Sequence, residues 1–370
     1  MTPYFEPRVE IKEKKDSKQF DEIAKRLQLN GYVILGEKYK EKKKEESKEA
    51  IQKVTRIEIK ENKVEKVRSL LPKIRNQYEL VSINTSSAKV AQWVVKDNRV
   101  DILTIPHQNI KEIITQSLAN VAASNQTFLE IDLSFLTSSN SFSHSIQMRV
   151  LSRVMNLIIR EKAPFILTMN VEHPLDFRNE RSIIAMANLI GIPSKAIKEN
   201  MQKFKERIKL NRSKLAPEFI TPGVWKVEEK KTSKKIIASK ETEVQTEIPF
   251  NLKELPIEKM KMERQRYILF EILQFENKNV EEKVVIDNLW KQFSKFFGEV
   301  GSSRIGLYLI EFNSEKSIGI IRCNQLSLSA VRAMMSTITF LEETKITFHV
   351  LKVSGTLKNL IGIQKKKSKN

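Results

Sequence analysis

Short apolar strands alternating with amphipathic helices, from Lys18 to about Val227, constrain this chain most strongly. Strand-like runs stand at Tyr32–Gly36, Arg56–Ile59, Tyr78–Asn84, Val100–Pro106, Thr127–Leu133 and Pro164–Asn170, with Gly223–Val227 last. Helix-length patterns separate them: Phe20–Leu29, Val64–Arg75, Ala88–Lys96, Ile110–Ala123, Ser145–Lys162, Ile183–Ile190 and Ser194–Arg212. Such alternation implies a parallel sheet, because each parallel neighbour needs a crossover to bring the chain back. Six or seven βα units fit a closed, somewhat reduced TIM-like (β/α) barrel, with an open doubly wound sheet as the alternative. No G-x-G-x-x-G and no P-loop is present, so neither nucleotide-binding version gains support.

The pattern breaks at KVEEKKTSKKIIASKETEVQTE, residues 226–247. This stretch is charged or polar, without a helical stripe, and buries too little apolar surface to offset its ordering entropy. It reads as a linker, as the charge-dense run Lys38–Ala50 reads as an exposed insertion. Beyond it the grammar is different. A strand (Arg266–Leu273), a helix (Val280–Phe297), two strands (Arg304–Phe312, Lys316–Arg322), a helix (Ser327–Leu341) and a strand (Lys345–Val353) follow in turn. That order, β-α-β-β-α-β, is the α+β sandwich of ferredoxin-like and RRM-like domains. The expected organisation is therefore a barrel over 1–225, a linker over 226–255, a ferredoxin-like domain over 256–362 and a basic tail over 363–370.

Charge narrows the function classes. The 370 residues include 65 Lys and Arg against 45 Asp and Glu, a net +20, which favours a polyanionic partner. No run approaches the ~20 apolar residues of a membrane span, and no signal segment opens the chain. The lone Cys323 permits no intrachain disulfide and no zinc site by itself, so a reduced, cytoplasmic setting without a membrane partner is expected.

Specific residues carry a family resemblance. Tyr78–Pro106 (YELVSIN…AQWVVKDNRVDILTIP), Thr127–Leu133 (TFLEIDL) and Leu175–Gly191 (LDFRNERSIIAMANLIG) resemble the TIM-barrel protein component 3 of archaeal ribonuclease P. Met262–Gly362 resembles component 2 of the same particle, through Arg266–Ile272 (RYILFEI), Phe297–Glu299 (FGE), Gly319–Arg322 (GIIR), Val331–Arg332 and Val353–Leu357 (VSGTL). Two partners of one particle in one chain weigh more than either match alone. The resemblance implies a fusion of two subunits of a ribonucleoprotein whose RNA removes the 5′ leader of precursor tRNA with Mg²⁺. The protein would then bind no cofactor and carry no catalytic residue, and would help fold the catalytic part of the RNA. Its implied partners are ribonuclease P RNA, precursor tRNA and other ribonuclease P proteins, with contact between its own two domains or between two copies.

Candidate contacts follow from charge placement. In Ser194–Arg212 a stripe of Ile197, Met201, Phe204 and Ile208 faces a core. Lys195, Lys198, Lys205, Lys209 and Arg212 line one flank, and Lys203, Arg207 and Lys214 the other. Such a face is either merely solvated or an RNA contact. Arg178 and Arg181 stand at a helix start, where they do not suit the dipole, and Arg149 and Arg153 are spaced one turn apart. In the second domain Arg264, Arg266, Arg304, Arg322, Lys352 and Lys358 suit phosphate contact. Base stacking is not expected there. The third strand, Lys316–Arg322, lacks an aromatic, and Tyr267 and Phe270 fall on opposite faces. Lys365–Lys369 reads as either a solubilising or an RNA-grasping tail, and Cys323 as a small core residue.

A competing reading is a metal-dependent phosphoesterase, since barrels carry sites at strand C-termini. His107, Asp132 and His173 could meet there. Resembling barrels carry a metal-binding Asp-x-His on the first strand, but Phe5-Glu6-Pro7-Arg8-Val9 puts an arginine where the histidine is needed. A structural protein of another RNA particle is the third possibility.

Overall fold

The computed structural model describes residues 4–13, 16–37, 51–137, 141–215, 219–221, 224–225, 264–276 and 278–360. The insertion Lys38–Ala50, the linker and the final run Lys365–Lys369 lie outside them.

Seven strands, β1 (Phe5–Val9), β2 (Gly31–Leu35), β3 (Gln52–Lys60), β4 (Leu80–Asn84), β5 (Ile102–Thr104), β6 (Phe128–Asp132) and β7 (Phe165–Thr168), pair in chain order, all parallel. Helices α1 (Ser17–Arg26), α2 (Val64–Ile74), α3 (Ala88–Val94), α4 (Ile110–Ile113), α5 (Gln116–Asn125) and α6 (Ser141–Arg160) return the chain between them. Local chemistry fixes several helix starts. Ser87, Thr115 and Asn179 each accept a hydrogen bond from the backbone N–H three residues on. The sheet nearly closes: Val9 bridges Val171 in parallel, Glu10 N donates to Val171 O at 2.9 Å and Val171 N to Arg8 O at 3.1 Å. This closure excludes the open doubly wound sheet.

Six strands fall where the hydropathy pattern places them, and the seventh does not. Of the expected strand Gly223–Val227 only Val224–Trp225 lie among the described residues, and they form β9, which pairs antiparallel with β8 (Phe219–Thr221) in a separate ribbon. The strand that hydropathy does not mark is β1, at the position the family resemblance gives the first barrel strand; its sequence FEPRV hides a buried segment behind a proline and two charges. Helix α8 (Ser194–Leu215) then closes the barrel floor. Its Phe204 and Ile208 cluster with Phe5, Val33, Val54, Leu80, Ile102, Phe128 and Ile166, residues near the strand starts. The rings of Phe128 and Phe204 meet edge-on at 5.5 Å. Met201 of the expected stripe is only half-buried, while Asn200 and Asn211 are buried. Asn200 Oδ1 accepts from Phe165 N at 3.0 Å, and Asn211 Nδ2 donates to Asp101 Oδ1 at 2.8 Å.

After α7 (Glu180–Leu189) and the barrel, the second half forms a four-stranded antiparallel sheet in the order β11-β12-β10-β15. Its elements are β10 (Gln265–Leu273), α9 (Glu282–Ser303), β11 (Tyr308–Asn313), β12 (Ile318–Asn324), α10 (Leu328–Thr337) and β15 (Thr347–Ser354). This is the expected ferredoxin-like arrangement. The second helix stops at Thr337 rather than Leu341, because β13 (Phe340–Leu341) and β14 (Thr344–Lys345) make a small hairpin before β15. Two glycines of the recognised motifs have physical reasons. Gly298, at φ +68°, kinks α9 in a conformation that penalises side chains. Gly319 lies between Phe270 and Phe312 in the strand register, where a Cβ would meet both rings at 2.6–2.8 Å. Cys323 is buried, and Ile268, Phe270, Phe293 and Met334 join one apolar cluster with barrel residues.

Candidate nucleic-acid interface and barrel mouth

Above its apolar floor the barrel is filled by charge. Arg56, fully buried on β3, donates from Nη1 and Nη2 to the two oxygens of Glu130 on β6, both at 2.7 Å. Its Nε donates to Ser82 Oγ at 2.9 Å and Nη1 also to Pro7 O at 2.9 Å. One layer nearer the strand ends, Arg8 donates to both oxygens of Glu58, at 2.5 and 3.2 Å. Burial alone raises the Glu130 carboxyl, but Arg56, Arg8 and the Thr104 hydroxyl hold it below its ordinary value. Among the described residues no cation pairs with Glu6. Burial pushes it up to about 7, although Tyr4 OH, Thr168 Oγ1 and Met169 N all donate to it. The alternation of apolar runs does not mark Arg56, Glu58, Glu130 or Glu6 as interior residues. Their signal was available: a lone charge inside an apolar strand of a sheet covered on both faces must find a partner.

His107 and Asp132 adjoin, but with His173 they do not converge as a ligand set. His107 Nε2 lies 3.2 Å from the Asp132 carbonyl, not its carboxylate, and Asp132 Oδ1 accepts from Ser134 N at 2.8 Å. Burial raises the Asp132 carboxyl. His173 Nδ1 instead caps the turn Pro174–Asp176, accepting from Leu175 N at 3.2 Å. Burial and Lys345 lower its pKa. Among the described residues no three His, Cys, Asp or Glu side chains could hold a metal ion.

Arg178, expected at the RNA surface, is 1% exposed. Its Nε donates to Ser336 O at 2.7 Å and its Nη1 to Thr347 Oγ1 at 2.7 Å, both in the second half. Nη1 also donates to Leu175 O and Phe177 O, each at 2.8 Å. Burial brings its pKa down to about 10. Lys345 to Asp176 at 2.8 Å and Arg26 to Glu271 at 3.4 Å join the halves as well, and α7 packs on α10. An open cleft of about 510 Å³ lies alongside, lined by Lys12, Asn170, His173, Arg178 and Lys345 among others.

The other candidate cations divide by surroundings. Arg212 is half-buried on the barrel floor, with Nε 2.5 Å from Glu79 Oε1 and Nη2 3.0 Å from Lys53 O. Arg266 is half-buried, and its register partner Cys323 places it on the helix-covered face of the sheet, opposite Arg322. Lys205 is half-buried on α8. Arg149, Arg153, Arg181, Lys198, Lys209, Arg264, Arg304, Lys352 and Lys358 are exposed. Among the described residues no helix is long and apolar enough to cross a membrane.

A barrel with a charged interior, followed by a ferredoxin-like sheet, accords with the family models. Residues 5–216 match the model of RNase P subunit p30. The chain belongs to that family. Its second half, residues 266–361, matches the Rpp14/Pop5 family, so the chain is a fusion of two ribonuclease P protein families. The p30-type half is similar to ribonuclease P protein component 3 of Haloarcula marismortui, 23% identical over 45% of this chain and 71% of that protein. The Rpp14/Pop5-type half is similar to ribonuclease P protein component 2 of Pyrococcus furiosus, 29% identical over 26% of this chain and 80% of that protein. A chain in the cryo-EM structure of archaeal ribonuclease P with mature tRNA shares the fold. That match has a TM-score of 0.51 and 19% identity, over 61% of this chain and 100% of the other.

Proposed function

We propose that this p30–Rpp14/Pop5 fusion serves as a protein subunit of ribonuclease P, binding the RNA subunit and lowering the Mg²⁺ it needs to fold. The RNA then carries the chemistry, removal of the 5′ leader of precursor tRNA, and the protein holds no metal of its own. The observation that carries this reading is the succession of two ribonuclease P protein families in one chain of net charge +20. Exposed Arg149, Arg153, Arg181, Lys198, Lys209, Arg264, Arg304, Lys352 and Lys358 would screen phosphates, with half-buried Lys205 and Arg322 beside them. Other ribonuclease P proteins and precursor tRNA complete the set of partners, and the two halves pair within one chain through Arg178.

A phosphoesterase reading asks for ligands at the strand ends. There Arg8 and Arg56 stand between Glu58 and Glu130, and two guanidiniums repel a divalent ion. The test is reconstitution with ribonuclease P RNA. Binding should weaken steeply between low and physiological salt, because neutralised phosphates release counterions. An affinity indifferent to salt, or cleavage of precursor tRNA by the protein without RNA, would overturn the proposal.

A further inference from the structure

The face of the second-half sheet turned away from α9 and α10 is covered in part, where Leu269, Ile318 and Ile320 are buried with Leu360 and Tyr267, Leu351 and Leu357 pack against them; its edge carries a row that strand alternation alone did not reveal. In the register of β11, β12, β10 and β15, Arg322 lies opposite Tyr308 on one side and Tyr267 on the other, and Tyr267 lies opposite Ser354. Residues directly opposite in a sheet share a face. Two tyrosines therefore flank one arginine on one face. The second strand supplies the aromatic that the third lacks.

The geometry of the row is specific. The Arg322 guanidinium carbon sits 4.3 Å from the centre of the Tyr308 ring, the distance of a stacked cation–π pair. The Nε of Arg322 is buried without a hydrogen-bond partner. Tyr308 is 56% exposed on the sheet's edge strand, so much of its ring meets water even with a cation against it. Two exposed arginines stand at the same end of the sheet. Arg264 O accepts from Gln325 N at 2.8 Å and Arg304 O from Asn324 Nδ2 at 3.1 Å, just beyond the row.

We infer that the exposed Tyr308 ring, backed by Arg322 with Tyr267 packed behind it, is a stacking site for an unpaired nucleobase, with Arg304 holding a neighbouring phosphate. A base presents a π-face of the size of a tyrosine ring, and a guanidinium lying on that ring extends the platform and supplies free donors. Arg322 against the ring and exposed Arg304 at this end of the sheet favour a polyanionic occupant over an apolar peptide, with Glu311 as the acidic residue of the same face. The inference rests on the RNA-binding reading and adds to it a preference for single strands, which phosphate contact alone does not give.

The full-length chain is titrated with a labelled single-stranded oligoribonucleotide and with a duplex of the same length, each at several salt concentrations. Tyr308→Ala should weaken single-strand binding roughly tenfold. It should leave duplex binding and the slope of affinity against salt unchanged, because no charge is lost. Tyr308→Phe should bind like the parent, since the ring is kept. Arg322→Gln should both weaken single-strand binding and flatten its salt slope by about 0.7. Circular dichroism of each variant should match the parent. Parent binding that is salt-dependent but indifferent to Tyr308→Ala overturns the stacking site alone. A parent that binds neither probe overturns the RNA reading and the stacking site with it. A parent that sediments as a dimer and falls to a monomer on Tyr308→Ala assigns the face to a second copy, which also overturns the inference.

Discussion

Arg56 and Glu130, 74 residues apart in sequence, meet inside the barrel as a two-nitrogen, two-oxygen pair at 2.7 Å. A guanidinium fully removed from water needs this geometry, because its desolvation cost is recovered only when nearly every donor is matched. Arg56 matches them with Glu130, Ser82, Thr104 and the Pro7 carbonyl. The barrel interior at this level is thus part of the protein's core.

Removing one partner should be severe. Arg56→Met leaves the Glu130 carboxylate buried beside Arg8 alone and should cost about 3–5 kcal/mol of stability. The double variant Arg56→Met with Glu130→Gln should recover part of that loss. Urea unfolding followed by circular dichroism measures both. A single variant as stable as the parent would show the pair to be dispensable.

Glu6 makes stability depend on pH in the opposite sense to most carboxylates. Its folded pKa, about 7, lies above its ordinary 4.5, so the folded barrel holds a proton that the unfolded chain releases. Its contribution is present below pH 4.5, declines as pH rises from 4.5 to 7, and is constant above. The decline should amount to about 3 kcal/mol. Glu6→Gln should abolish it and raise the stability above pH 7. Identical pH profiles for parent and variant would show that Glu6 does not titrate this way.

Arg178 should couple the two halves. Arg178→Ala removes hydrogen bonds from a cation to Ser336 O and Thr347 Oγ1, each of a kind that contributes about 1.5–3 kcal/mol. Calorimetry should then resolve two melting transitions or one much broader transition, whereas Arg181→Ala, an exposed neighbour, should melt like the parent. A sharp parental transition for Arg178→Ala would show that the halves are held by other contacts.

The histidines and the surface lysines should separate in function. Alanine at His107, Asp132 and His173 together should leave reconstituted cleavage of precursor tRNA nearly unchanged, since loss of a metal ligand or acid–base group costs at least about 10²-fold. Lys198→Glu with Lys205→Glu should weaken RNA binding and raise the Mg²⁺ requirement, with cleavage recovering in part at high Mg²⁺. Collapse of the His/Asp variant at every Mg²⁺ concentration, with assembly intact, would return the chemistry to the protein.

Cys323 should be inert. Burial pushes its thiol up to about 12, leaving almost no thiolate at pH 8. A thiol reagent should modify it only in denaturant, and prompt labelling of the native protein would place it in a more open setting.

By itself the sequence determined the two architectures, six of the seven barrel strands, the βαββαβ order and the excess of positive charge. All of these are local or additive: a run of apolar residues declares its period within about ten positions, and charge simply sums. Only the tertiary structure decided that Phe5–Val9 closes the barrel, since a strand with Pro7, Glu6 and Arg8 looks like a strand only when Val9 meets Val171. It also decided that Arg178 and Arg212 turn inward to partners 158 and 133 residues away, while Arg149 and Arg153 stay in water. The same holds for Tyr308 beside Arg322, whose adjacency is a matter of strand order and a register shift between Leu309 and Glu311. Periodicity tells which side of an element a residue takes. Which residue waits on the other side depends on pairings between distant segments, and those are set by the whole fold at once.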